Sequence, residues 1–181
     1  MKIEDAVKNS KILYSYNEIN NGISNIADAC NEHFKKIKNN VTLLPVMKGA
    51  LPFAGHLIPK LLFNTDIEYI HVTRYHQNLG TKNCNWIYKP DISAIKNKDI
   101  LVLDDILDEG VTLLNIKDKL KSMGARSIVT AVLFDKTINQ KKSTLADFVG
   151  LEVPDKYVYG FGLDFKGGGR NLPNLYSYDE Q

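Results

Sequence analysis

Apolar positions recur at two different periods along this chain, and the alternation between the two sets the architecture. Ile19, Ile23, Ile26, Ala27, Cys30, Phe34 and Ile37 follow one another at mostly three- or four-residue spacing, the repeat of one face of an α-helix. This predicts a helix over Asn17 to Lys38, with Asn17 as its N-cap and Glu18 in its first turn. Val41 to Val46 is a nearly continuous apolar run that breaks at Met47-Lys48-Gly49, as a strand buried on both faces does. Leu51 to Phe63 is helical again, with Pro52 tolerated in the first turn. Asp66 to Thr73, Ile100 to Leu103, Ser127 to Phe134, Phe148 to Gly150 and Tyr157 to Phe161 are further strands. Val111 to Met123 is a helix, with Leu113, Leu114, Ile116 and Leu120 inward and Gly124 as its stop. From Arg74 to Asp91 the pattern fails, which predicts a long loop or small excursion of the kind that usually carries function. From Asp164 the chain is glycine-rich and irregular. Alternating strands and helices imply an α/β fold, a central parallel sheet flanked by helices on both faces. Ligands of such sheets bind beyond the carboxyl ends of the strands, which selects Lys48-Gly49, Arg74-Tyr75, Asp104 to Thr112 and Asp135-Lys136.

Composition narrows the function classes. A length of 181 residues with 44% hydrophobic and 24% charged residues suits one domain with a real core. The 23 basic and 21 acidic residues nearly balance, which argues against a nucleic-acid-binding face. No apolar run is long enough for a membrane span. Met1-Lys2-Ile3-Glu4-Asp5 carries acids and precedes no apolar stretch, unlike a signal peptide, so a cytoplasmic protein is expected. Cys30 and Cys84 are too few and too distant for a metal site or a secreted scaffold; they read as reduced thiols, one packed and one in a loop. His33, His56, His71 and His76 show no ligand spacing.

The densest chemistry lies in Leu101-Val102-Leu103-Asp104-Asp105-Ile106-Leu107-Asp108-Glu109-Gly110-Val111-Thr112-Leu113. An apolar strand empties into two carboxylates, then into a glycine-containing turn that opens a helix. Backbone N–H groups at a helix start lack intrahelical partners and hold phosphates well. Carboxylates beside them suit sugar hydroxyls or hydrated Mg²⁺. The rival is the acidic strand end of a P-loop protein. That needs a glycine followed by Lys and then Ser or Thr, which this chain lacks.

Leu101 to Leu113 resembles the diphosphoribose-binding signature of the type I phosphoribosyltransferases. Leu44-Pro45-Val46-Met47-Lys48-Gly49 resembles the pyrophosphate-binding first loop of that family, in which a cis peptide at Met47–Lys48 is implied. Leu133-Phe134-Asp135-Lys136 resembles the strand end bearing its purine-binding lysine. The stretch from Val153 to Asp164 resembles the base-binding segment of the hypoxanthine-guanine branch, and Arg170 follows at the spacing of a pyrophosphate-contacting arginine. Two positions depart from the pattern. Glu109 stands where Thr or Ser is common inside the phosphate loop, so its carboxylate must point outward or bind the phosphate through a cation. Arg74-Tyr75 stands where better-described relatives have Ser-Tyr.

The resemblance implies a type I phosphoribosyltransferase fold spanning residues 1–181. A small hood subdomain falls at roughly 74–91, and a base-binding segment at roughly 153–181. It implies transfer of 5-phosphoribosyl from phosphoribosyl pyrophosphate to a 6-oxopurine, with Mg²⁺ as cofactor and pyrophosphate as co-product. Asp108 is then the general base that takes a proton from the purine imidazole. Asp104 and Asp105 hold the ribose hydroxyls, directly or through Mg²⁺-bound water, and Asp164 holds a second Mg²⁺. Ile106, Leu107, Glu109, Gly110, Val111 and Thr112 complete the sugar-phosphate loop. Lys136, a donor-only ammonium, selects O6 over the amino group of adenine. Tyr157 stacks on the purine and Val158 offers backbone groups. Lys48, Gly49 and Arg170 take the pyrophosphate, while Arg74 and Tyr75 start a hood that excludes water. A homodimer or homotetramer is implied, with neither a nucleic-acid nor a membrane partner.

Overall fold

The computed structural model describes residues 3–74 and 84–178, with Arg74 described by its backbone alone. Helix α1 (Ile3–Lys8) and strand β1 (Ser10–Tyr14) lead into α2 (Tyr16–Phe34), β2 (Val41–Met47) and α3 (Leu51–Leu57). Then come β3 (Thr65–Ile67), β4 (Ile70–Arg74), β5 (Cys84–Tyr88), α4 (Ile92–Ile95), β6 (Asp99–Leu107) and α5 (Val111–Ser122). Strands β7 (Ser127–Thr137), β8 (Phe148–Pro154), β9 (Tyr157–Tyr159) and β10 (Leu175–Tyr178) complete the order.

The main sheet runs β5-β4-β2-β6-β7-β8, with β3 beside β2. Every pairing in it is parallel except β4 with β5. The apolar runs of its central strands are explained by their two faces. Leu43, Leu101, Leu103 and Leu133 pack with Ile19, Ile23, Phe34 and Phe53 of α2 and α3. Their neighbours Leu44, Val102 and Val132 face the other way, against Leu113, Ile116 and Leu120 of α5. Successive strand residues point to opposite faces, so a strand covered twice must be apolar throughout. A second sheet, β1-β10-β9, is antiparallel and packs Tyr159 and Tyr176 with Ala6 and Phe165.

Several boundaries differ from those the sequence predicts. Helix α2 starts at Tyr16, capped by Ser15 rather than Asn17. Ser15 Oγ accepts from the Glu18 N–H while the Glu18 carboxylate accepts from the Ser15 N–H at 2.8 Å. That reciprocal capping box is worth about 1 kcal/mol and leaves Asn17 in the first turn. The helix predicted to Phe63 stops at Leu57 and tightens into a 3₁₀ turn over Ile58–Lys60, because Pro59 has no N–H to continue the ladder. Asp66 to Thr73 divides into β3 and β4.

The segment expected to be an irregular excursion contains β5, paired antiparallel with β4. Cys84 therefore sits on a strand, where it and Trp86 pack on the α5 side. Tyr75 lies outside the described residues. Strand β6 continues past Leu103 through both carboxylates, since its ladder with β7 runs on to Leu107 opposite Asp135. Strand β10 forms in the tail expected to be irregular.

Candidate active site at the carboxyl end of the sheet

Strands β2, β4 and β6 end at one edge, where a cavity of about 750 Å³ opens. Lys48 and Gly49 line it after β2, His71 to Thr73 from β4, Asp104 to Leu107 from β6, and Asp108 just beyond that strand. Gly110 and Thr112 contribute from the start of α5, and Asp164 and Arg170 from the C-terminal segment. The Met47–Lys48 peptide is cis.

The two acids at the end of β6 are packed rather than splayed into water. Asp104 is 7% exposed, and its Oδ1 accepts the Asp105 N–H at 3.1 Å. Asp105 Oδ1 accepts the Ile106 N–H at 2.9 Å. Burial pushes the Asp105 carboxyl above the usual carboxylate range, opposed by its hydrogen bonds to Asp104 and Ile106 and by the charge of Arg170. Asp105 leans onto Gly49 so closely that a Cβ there would lie 1.6 Å from Asp105 Oδ2. Only glycine fits, which ties the loop after β2 to the acidic strand end.

Helix α5 begins at Gly110, whose φ of +77° is left-handed. A glycine cap brings no side-chain acceptor of its own to the helix start, which suits an anion there. Glu109 does not line the cavity. Its carbonyl accepts the Ser143 N–H at 2.8 Å, and its Oε1 lies 3.5 Å from Gln140 Nε2. The carboxylate thus faces the 140–143 segment rather than the cavity. Val111 is likewise outside the lining.

At the other end of the cavity Asp108 meets Lys136. Lys136 Nζ is 3.6 Å from Asp108 Oδ2 and 4.0 Å from Asp155 Oδ1, with the lysine side chain 15% exposed. Lys136 itself is not among the lining residues. Tyr157 is 43% exposed; its ring meets Phe165 edge-on at 5.5 Å and its hydroxyl donates to the Asp164 carbonyl at 3.2 Å. Val158 is buried beside it, and neither lines the cavity. Asp164 and Arg170 are bound to one another at 2.5 Å, and Arg170 also donates to the Gly162 carbonyl at 2.6 Å. His71 and Thr73 were not singled out from the sequence. The strand-end rule that selected Arg74 reaches them one and three residues earlier on β4.

The carboxylate oxygens of Asp104, Asp105 and Asp164 are hard donors suited to Mg²⁺. Among the described residues no group of three or more His, Cys, Asp or Glu is placed to hold a metal ion alone. The set fits an ion that keeps waters and takes further oxygens from a phosphorylated ligand.

Comparison with known proteins places the chain in a family. The family model for the phosphoribosyl transferase domain matches residues 14–166, and the chain belongs to that family. Within it, the similar proteins are hypoxanthine-guanine phosphoribosyltransferases. That of Streptococcus pyogenes serotype M3 is 31% identical over 163 residues, covering 90% of this chain and 89% of the relative. That of Aquifex aeolicus is 31% identical over 173 residues, covering 96% and 97%. A crystal structure of a hypoxanthine phosphoribosyltransferase from Staphylococcus aureus superposes with a TM-score of 0.86 at 26% identity, covering 98% of this chain and 95% of that one. No helix among the described residues is long and apolar enough to cross a membrane.

Proposed function

We propose that this phosphoribosyltransferase serves purine salvage, joining hypoxanthine or guanine to the ribose of phosphoribosyl pyrophosphate and releasing pyrophosphate. The observation that carries the reading is the Lys136–Asp108 pair at one end of a cavity whose other parts are a phosphate-type helix start and an acidic strand end. A 6-oxopurine exchanges that pair for two contacts of its own. Its O6 takes the donor-only ammonium of Lys136, and its imidazole N–H gives a proton to Asp108 as the glycosidic bond forms. Asp104 and Asp105 hold the ribose hydroxyls beneath the reacting carbon. The N–H groups of residues 108–112 and the Thr112 hydroxyl hold the 5′-phosphate.

Lys48, Gly49 and Arg170 receive the pyrophosphate, Arg170 exchanging Asp164 for an oxyanion by a bidentate contact. Tyr157 covers the purine face, with Val158 offering backbone groups to its ring, and the strand ending at Arg74 starts the hood. Mg²⁺ held through Asp104, Asp105 and Asp164 would stabilise charge on the departing pyrophosphate. A related hypoxanthine phosphoribosyltransferase from Trypanosoma cruzi, with a TM-score of 0.84, carries the product IMP, which supports the nucleotide assignment.

The whole chain acts as one such domain. A cytoplasmic location agrees with Cys30 and Cys84 lying outside any disulfide; burial holds the Cys30 thiol up at about 12. Self-association as a homodimer or homotetramer agrees with the exposed Tyr69–Tyr88 stack, whose rings are 4.2 Å apart, beside exposed Ile67 and Ile87. The test is incubation with phosphoribosyl pyrophosphate, Mg²⁺ and hypoxanthine. IMP and pyrophosphate form in equal amounts, and a chelator stops both. No turnover with any 6-oxopurine would remove the reading.

A further inference from the structure

The segment between β7 and β8 lies against the back of the loop that follows β6. Lys142 is a charged side chain only 9% exposed. Its ammonium donates to the Leu107 carbonyl at 3.2 Å and pairs with the Asp135 carboxylate. Leu107 and Asp135 are register partners on β6 and β7, so one ammonium ties the ends of both strands. The next residue, Ser143, donates its N–H to the Glu109 carbonyl at 2.8 Å. The residue after that packs so tightly beneath Gly110 that a Cβ there would lie 2.7 Å from the Thr144 carbonyl oxygen.

Two alternate carbonyls of the loop, those of residues 107 and 109, are therefore turned toward this brace. Both following peptides are trans, and a trans peptide points its N–H opposite to its C=O. The N–H groups of Asp108 and Gly110 are thereby directed away from the brace, and those two residues line the cavity. A loop that receives an anion needs this polarity, since a carbonyl oxygen repels what an N–H attracts.

We propose that Lys142 is a positioning residue for phosphoribosyl transfer: by holding the Leu107 carbonyl it keeps the loop in the orientation that binds the 5′-phosphate of the donor. It touches no substrate. The proposal rests on reading residues 108–112 as the phosphate cradle. A side chain that only packed would move stability and leave the two substrates equally affected; a positioning residue moves the donor side alone.

The test uses the full chain, Lys142→Met, and the double variant Lys142→Met with Asp135→Asn, which leaves no carboxylate without its cation. KM is measured for each substrate, binding of ribose 5-phosphate is measured by calorimetry, and thermal melting reports folding. The expected result is cooperative melting of the double variant and a rise of about tenfold or more in KM for phosphoribosyl pyrophosphate, the scale of one charged hydrogen bond, with KM for hypoxanthine changed by less than about twofold. Affinity for ribose 5-phosphate falls in parallel. An unchanged donor KM, equal rises in both KM values, or loss of cooperative folding in the double variant overturns the proposal. If the parent chain turns over no 6-oxopurine, the proposed function fails, and the ribose 5-phosphate comparison still decides the brace: weaker binding supports it and equal binding overturns it.

Discussion

The half of the site proposed to hold the sugar-phosphate and the half proposed to hold the base are built in different ways. Residues 104–112 form one continuous stretch, laid on a strand that pairs on both sides within the sheet and braced from behind at Leu107 and Glu109. The groups proposed to bind there are largely backbone N–H groups. The proposed base and pyrophosphate half gathers Lys136 from β7, Tyr157 from β9, Asp164 from between the reversals at Gly160–Leu163 and Phe165–Gly168, and Arg170 from just beyond them. Its charged groups are engaged with one another or with the loop, Lys136 with Asp108 and Asp155 and Arg170 with Asp164. One half is a braced loop; the other is a set of ion pairs, which substrate exchanges in the proposed reading.

Substitutions can break that comparison. Asp108→Asn stands at the junction of the halves and removes the proposed proton acceptor, so kcat should fall by about 10²-fold or more; steady-state turnover with hypoxanthine checks it, and an unchanged rate removes the role. Gly49→Ala forces Asp105 aside, because the new Cβ has no room beside its carboxylate. Misplacement on the ångström scale costs about 10²-fold, and here it should appear in kcat/KM for phosphoribosyl pyrophosphate. Lys136→Met strikes the base half alone: kcat/KM for hypoxanthine should drop by about 10-fold or more, the value of a charged hydrogen bond, with the donor KM nearly unchanged. A matching rise in donor KM would show that the halves are not separable.

The smallest effect lies at the far end of β6. Asp99, 4% exposed at its side chain, is paired with Arg126 and accepts from Ser127 Oγ at 2.6 Å. The Arg126 guanidinium holds its carboxyl below the usual carboxylate range. A depressed folded pKa contributes stability that is full above the ordinary pKa near 4 and is lost as pH falls through it toward the lowered value. Asp99→Asn should therefore leave kcat unchanged and lower stability by about 1–2 kcal/mol at neutral pH. The difference in Tm from the parent should narrow as pH falls below about 4; a constant gap would contradict the pairing.

The same contrast decides what was legible in the sequence. The cradle could be read because its residues are contiguous and its chemistry is local: apolar run, acids, glycine, helix. Only the strand end was misplaced, since backbone pairing with β7 carries β6 through the acids, and polarity alone does not show pairing. The base half could be named only through resemblance, because Lys136 meets Asp108 across β6 and β7, and Asp164 meets Arg170 across a reversal. Neither pairing has a local period. Helix caps and short strands were missed for the same reason. Asn17 and Ser15 are equally good caps by residue type, and the reciprocal contact with Glu18 decides between them. Strand β5 shows only a brief alternation of Cys84 and Trp86 inward, which the packing against β4 makes into a strand. The brace at Lys142 and Ser143 had no signal at all, as a lysine in a polar segment looks like solvent-facing surface until the fold places it under the loop.

The most direct test of the central claim, a ribose-phosphate cradle facing a 6-oxopurine pocket, is kcat/KM of the purified chain for hypoxanthine against adenine, at saturating phosphoribosyl pyrophosphate and Mg²⁺. Pyrophosphate release is expected with hypoxanthine and none above background with adenine. Equal turnover of the two bases, or turnover of adenine alone, would contradict it.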